Sequence, residues 1–319
     1  MARPPQDGSW PPDPEPLPHP VVDNHTHLET VLATTDEAGW RSSAPGDPVA
    51  HDGAGRVALA AHLARAAGVG VTRLVQIGCD LPAITWTDRV VRAHPELVGG
   101  VAIHPNEAVL HAGVREVAPD GREPAPQDHH GVPLDDAIAR MAAVARGNDR
   151  IRVIGETGLD FFRAGERGRA AQREAFRAHI ALAKELDLVL QIHDRDAHEE
   201  VLGVLASDGA PALTVLHCFS GDAALARHAV AQGWYLSFAG SVTFSSAGNL
   251  RAALHEVPVD RMLLETDAPY LAPHPFRGRP NAPYLTAVTA RAVAVELGRD
   301  LAGLCNTVWR TAQDLYGPW

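Results

Sequence analysis

The sequence predicts an α/β fold, a single-domain TIM (β/α)8 barrel, on the strength of three observations. Short, β-branched apolar runs alternate with longer helix-patterned segments along most of the chain. Several of those runs end in histidine or acid: Asp23-Asn24-His25-Thr26-His27, Gly155-Glu156-Thr157-Gly158-Leu159-Asp160, Ile192-His193, His217-Cys218-Phe219-Ser220-Gly221 and Glu265-Thr266-Asp267-Ala268-Pro269. A length of 319 residues suits one such barrel. Parallel barrel strands all open onto one mouth, so the polar clusters are expected to converge there.

The first strand starts at Val21-Val22 and runs into His25 and His27, whose alternate spacing puts both imidazoles on one side of an extended segment. Residues 28–55 mix Pro, Gly, Ser and acids and read as a long loop over the mouth, before a helix over 56–67 that Gly68 and Gly70 stop. A strand over 71–78, a helix over 81–93 and a strand over 97–103 ending at His104-Pro105 establish the β-then-α alternation. The alternation breaks over 106–133, a polar, proline-containing insertion in which His129 and His130 are expected to face solvent. A helix over 134–146 and a strand over 151–154 then deliver Glu156 between Gly155 and Gly158, which permit turns and close approach.

The second half repeats the pattern: helix 169–186, strand 188–192 with His193 and Arg195 beyond it, helix 197–206, and strand 213–216 with His217. Helix 223–231, strand 234–238, helix 249–255 and an eighth strand over 262–265 lead to Asp267, a rim loop over 277–283, and helix to the C-terminus. An open doubly wound sheet is the structural alternative, but the early glycine-rich phosphate turn that would favour it is missing.

Hydrophobic residues at 45% and charged residues at 21% are globular values. Three scattered cysteines give no disulfide framework and fit a reducing, cytoplasmic setting. Residues 1–20, rich in proline and acid, read as a loosely packed extension with neither a signal-peptide pattern nor a membrane span, and the barrel domain as 21–319. A net charge of -11 argues against a broad phosphate-tracking surface, although bound cations can invert the local field in a cleft. Lys184 is the sole lysine, so no catalytic Schiff base is expected.

Neutral imidazoles and ionised carboxylates around an open coordination position suit divalent-metal hydrolysis. His25, His27 and Asp267 are assigned to one ion, His193 and His217 to a second, and Glu156 to a bridge between them. Mg, Mn and Zn all suit such ligands. Two cations roughly 3.5–4 Å apart would activate a shared water and stabilise the attacking and leaving oxygens. Asp267 doubles as the acceptor of the water's proton, with Glu156 the other catalytic acid. His104 and Arg195 are substrate-binding candidates for a phosphoryl group, and Asp160 either orients a ligand or caps a turn. Cys218 reads as packed, and Ser220 has no dedicated base to make it a nucleophile.

Taken in order, these stretches resemble the TatD family of metal-dependent deoxyribonucleases in the amidohydrolase-like barrel superfamily. The resemblance runs from about Val21 to the C-terminus and includes His25-x-His27, Ile103-His104-Pro105, 155–160, 192–197, 217–221, 265–271 and Arg277-Gly278 with Asn281 and Pro283. It implies two divalent ions and phosphodiester hydrolysis, with single-stranded DNA ends as substrate. The sequence departs from the family in its proline-rich start and in the insertions over 35–55 and 106–133. The alternatives are hydrolysis of a small ester, lactone or amide at the same centre and a non-catalytic metal-binding protein, against which the open ligand set counts.

Overall fold

A computed structural model describes residues 9–34 and 53–319. Eight parallel strands follow one another around the sheet in chain order: β1 Val21–Thr26, β2 Val71–Gly78, β3 Leu97–Val101, β4 Ile151–Asp160, β5 Val189–Arg195, β6 Thr214–Leu216, β7 Tyr235–Phe238 and β8 Met262–Leu264. Around them lie α1 Leu28–Thr34, α2 Gly53–Gly68, α3 Leu81–Ala93, α4 Pro105–His111, α5 Leu134–Gly147, α6 Glu166–Leu186, α7 His198–Asp208, α8 Ala223–Ala231, α9 Gly248–Leu254, α10 Thr286–Glu296 and α11 Leu301–Tyr316. This is the single-domain TIM barrel expected.

Side-chain alternation along each strand builds two cores. Val22, Val75, Ile77, Val98, Val153, Val189, Val215 and Leu263 fill the barrel interior, where Ala312, Leu315 and Tyr316 of α11 join them. Leu74, Leu97, Ile154, Leu190, Leu216 and Leu264 belong to the larger core formed with the helices. Such two-sided burial explains why apolar residues stand side by side in the strands, as in Val21-Val22, Leu74-Val75, Leu97-Val98, Val153-Ile154 and Val189-Leu190.

The barrel closes through backbone that also carries the polar clusters. His27 N donates to Ala268 O at 2.9 Å, and Asp267 N donates to His25 O at 3.0 Å. Buried Asp23 reinforces this seam, its carboxylate accepting from Thr266 N at 2.9 Å and from Thr266 Oγ1 at 2.6 Å. Closure therefore fixes His25, His27 and Asp267 relative to one another.

Several sequence expectations shift. The start of the predicted loop over 28–55 is helical as α1, while residues 35–52 lie outside those described. Residues 9–20 are tied to the barrel instead of loosely packed: Leu17 N donates to Val69 O, and Pro11 O accepts from Tyr284 Oη at 2.8 Å. The C-terminal helix breaks into α10 and α11 at Gly298, whose φ of 59° lies in the left-handed region that glycine adopts without strain. The insertion over 106–133 contains α4 and a 3-10 turn, Asp128–Gly131. His129 and His130 do not face solvent as expected. His130 is buried and His129 partly so, because both hydrogen-bond Glu107 on α4.

Candidate metal centre

All the predicted site histidines and acids meet at the C-terminal mouth, around one carboxylate. Glu156 is supplied by β4, which continues four residues past Glu156 and pairs with β5 through Gly158↔His193 and Asp160↔Arg195. Gly158 makes that pairing possible: with φ 137°, a Cβ there would lie 2.1 Å from His193 O.

The two oxygens of Glu156 face different imidazoles. Oε2 lies 3.5 Å from His25 Nε2 and 3.8 Å from His27 Nε2. Oε1 lies 2.9 Å from His217 Nε2, contacts His193 Nδ1, and is 3.6 Å from His104 Nε2. Asp267 Oδ1 closes the first group, 3.9 Å from His25 Nε2 and 3.7 Å from His27 Nε2. Three overlapping sets have donor atoms close enough together for a cation: His25, His27 and Glu156; His25, His217 and Asp267; and His104, Glu156 and His193. His217 thus reaches both halves of the site, its ring stacked on His25 at 3.9 Å.

The outer hydrogen bonds fix which nitrogens point inward. His25 Nδ1 is 2.8 Å from Gln191 Oε1, whose amide group donates elsewhere, and His27 Nδ1 is 3.1 Å from Ile77 O. Both acceptors require Nδ1–H, so each Nε2 keeps its lone pair for a cation. His217 Nδ1 meets Glu265 Oε1 at 3.2 Å, with the same result. His193 is turned around: Nε2 lies 3.4 Å from Asp160 Oδ2, an ion-pair contact without hydrogen-bond geometry, and Nδ1 faces Glu156. His104 differs again, because Asn106 N donates to its Nδ1 at 3.1 Å and keeps the ring proton on Nε2. His104 therefore offers a donor to the site, not a lone pair. This donor set fits divalent ions.

The family model for TatD related DNase matches residues 22–317. The chain belongs to the TatD family. An uncharacterized metal-dependent hydrolase, TatD, of Mycobacterium tuberculosis is 36% identical over 301 residues, covering 93% of this chain and 98% of that protein. A protein of Cronobacter sakazakii named a 3'-5' ssDNA/RNA exonuclease TatD is 41% identical over 189 residues, covering 57% of this chain and 71% of its own. The crystal structure of YJJV, a TatD homologue from Escherichia coli, superposes with a TM-score of 0.73 at 20% identity, covering 93% of this chain and 97% of that one. The protein is a metal-dependent hydrolase of the TatD family.

Electrostatics in the TatD-family site show a demand for positive charge. Burial opposes ionisation of Glu156, but His217, His104 and His193 hold its carboxyl well below the usual range. Burial likewise opposes charge on His193 and His27, yet Glu156 and Asp160 raise the first to about 9, and Asp267 and Glu29 raise the second to about 9. His217 is raised well above the ordinary imidazole value by Glu156 and Glu265, again against burial. His25 goes the other way, lowered by burial and by His217. Protons balance the carboxylates here, and a bound divalent cation displaces such protons.

Beneath the histidines lies a polar layer that the sequence reading missed. Gln191 donates to Asn24 O and to Tyr316 Oη, each at 3.0 Å, and Asn24 donates to Ser237 Oγ at 3.0 Å. Gln191 breaks an otherwise apolar strand run two residues before His193, which is its one sequence signal. Asp160 orients its neighbours: it accepts from Asn106 Nδ2 at 3.0 Å as well as facing His193. Arg195 stacks over Phe162 at 4.0 Å, while Asp194 pairs with His198. Tyr270, 56% exposed, stands edge-on to His27 at 6.1 Å. Ser220 donates to Asp194 O, and half-buried Cys218 has a left-handed φ of 43°. No described helix is long and apolar enough to cross a membrane.

Proposed function

We propose that this TatD-family hydrolase is a nuclease that shortens DNA from single-stranded ends, using two divalent ions bridged by Glu156. The observation that carries this reading is the division of one carboxylate between two sets of imidazoles, His25 and His27 at Oε2 and His193 and His217 at Oε1. Asp267 completes the first set. Bound there, divalent ions supply Lewis-acid activation of water and of the phosphoryl group.

The chain's own residues divide the remaining work. Asp267, beside the histidines and partly open to solvent, accepts a proton from the attacking water and returns it to the leaving oxygen. His104 donates its Nε2 proton to a non-bridging phosphoryl oxygen. The guanidinium of Arg195, over the Phe162 ring and without an ion-pair partner among the described residues, matches a phosphate with its planar fork. Tyr270 offers an exposed ring on which an unpaired base can stack, a sequence-tolerant contact that favours single strands. The Cronobacter relative's name points to the same substrate class.

The test is digestion of end-labelled single- and double-stranded DNA with Mg²⁺, Mn²⁺ or Zn²⁺, beside a panel of lactones and esters. Shortening of single strands that EDTA abolishes is expected. Lactone turnover without DNA cleavage would replace the proposal with the small-molecule reading.

A further inference from the structure

We propose that Glu107, His111 and His129 form a second cation site, separate from the barrel centre and suited to a zinc-class metal, that ties the 127–131 turn to α4. These residues and His130 present donor atoms within 4.8 Å of one another. Their hydrogen bonds sort them into ligands and support. His111 is only 4% exposed, and its Nδ1 lies 2.7 Å from Val132 O, so the ring proton sits there. The Nε2 lone pair is then buried and without a hydrogen-bond partner among the described residues, on a ring whose centroid lies 5.8 Å from that of His129 and 5.0 Å from that of His130. An apolar residue would fill this position without stranding a nitrogen, whereas a metal ligand has this arrangement, with a carbonyl fixing the far side of the ring.

His129 Nε2 lies 3.1 Å from Glu107 Oε2. Two ligand atoms on one tetrahedral zinc lie roughly 3.3 Å apart. The remaining contraction falls on Glu107 and His129, the two members partly open to solvent, through which a water can complete the coordination. His130 is a positioning residue instead: Gln127 N donates to its Nδ1 at 2.7 Å, which keeps the proton on Nε2, and that proton goes to Glu107 Oε2 at 2.7 Å. Two imidazoles and one carboxylate favour Zn²⁺ or Co²⁺ over Mg²⁺. Binding there would stiffen α4, whose N-cap is His104. The cluster shares no residue with the barrel centre, so a metal there is independent of nuclease activity.

The full chain, stripped of metal, is dialysed against buffered Zn²⁺ and the bound zinc counted, first in the wild type and then in Glu156→Gln. In each background, adding His111→Ala or His129→Ala is expected to lower the count by one per chain, and His130→Ala to weaken that equivalent about 10- to 100-fold. His129→Ala changes a partly exposed side chain, so a folding defect in the His111 variant leaves the test intact. With Co²⁺, the same equivalent should carry the visible absorption of a low-coordinate centre. A zinc count unchanged by His129→Ala in both backgrounds would show that the cluster is a hydrogen-bond network only. Failure of the barrel proposal would show separately, as a count unaffected by Glu156→Gln.

Discussion

Glu156 organises its surroundings because it is buried and shared. A carboxylate 5% exposed between five imidazoles needs cations, and the hydrogen bonds behind those imidazoles decide which nitrogens can serve. Gln191 fixes the tautomer of His25, so Gln191→Leu should weaken metal binding about 10- to 100-fold while the chain stays folded. Competition titration with a chromophoric chelator reads this directly, and wild-type affinity would remove Gln191 from the account. His179 gives a stability prediction away from the metal. It is fully buried, with Nε2 accepting from Ile103 N at 3.0 Å and Nδ1 facing Ala175 O, and burial lowers its pKa from 6.5 to about 4. The unfolded chain therefore takes up the proton first as pH falls. The contribution is intact above pH 6.5 and is lost between 6.5 and about 4, amounting to about 3 kcal/mol at about 1.4 kcal/mol per tenfold. Denaturant unfolding across this range should show the loss, and His179→Gln should flatten that part of the profile.

The elements that carry chemistry are those whose sequence pattern is least regular. β2 and α3 match their predicted bounds, because β2 is buried without a break from Leu74 to Gly78 and α3 has an Asp80 cap, Pro in its first turn and a clear apolar face. β4 and β5 extend well past the predicted 151–154 and 188–192, since apolar patterning stops where Glu156 and His193 begin while the backbone ladder continues. Gly158 sustains that ladder. Gly158→Ala combines a left-handed φ with a Cβ contact to His193 O, and should cost at least about 3 kcal/mol with loss of bound metal, measured by thermal unfolding and metal analysis. A near-wild-type variant would mean the β4–β5 approach is looser than described. The positions of the site ligands were legible because strand-end histidines and acids converge in a barrel. Pairings such as Glu107 with His129 were not, because nothing in a local pattern links residues on a helix and a turn that meet only in the folded insertion.

The whole molecule sets the electrostatic background. A chain of net charge -11 repels nucleic acid at long range, so on the proposed function binding should rest on a few local contacts at the barrel mouth, Arg195 and the exposed Tyr270 ring. The logarithmic dependence of DNA affinity on monovalent salt should then be shallow, with a slope no steeper than about -2, as expected for two or three phosphates on a single strand. A much steeper slope would reveal a basic groove. The barrel seam adds that His25, His27 and Asp267 are positioned by closure itself, so an intact barrel holds these three side chains together. The most direct test is Mn²⁺ titration of metal-stripped protein, followed by electron paramagnetic resonance and single-stranded DNA digestion on the same samples. The account predicts a spin-coupled Mn pair appearing together with activity as the second equivalent binds, and neither in Glu156→Gln. Full activity in Glu156→Gln, or activity complete before any coupled pair forms, would contradict it.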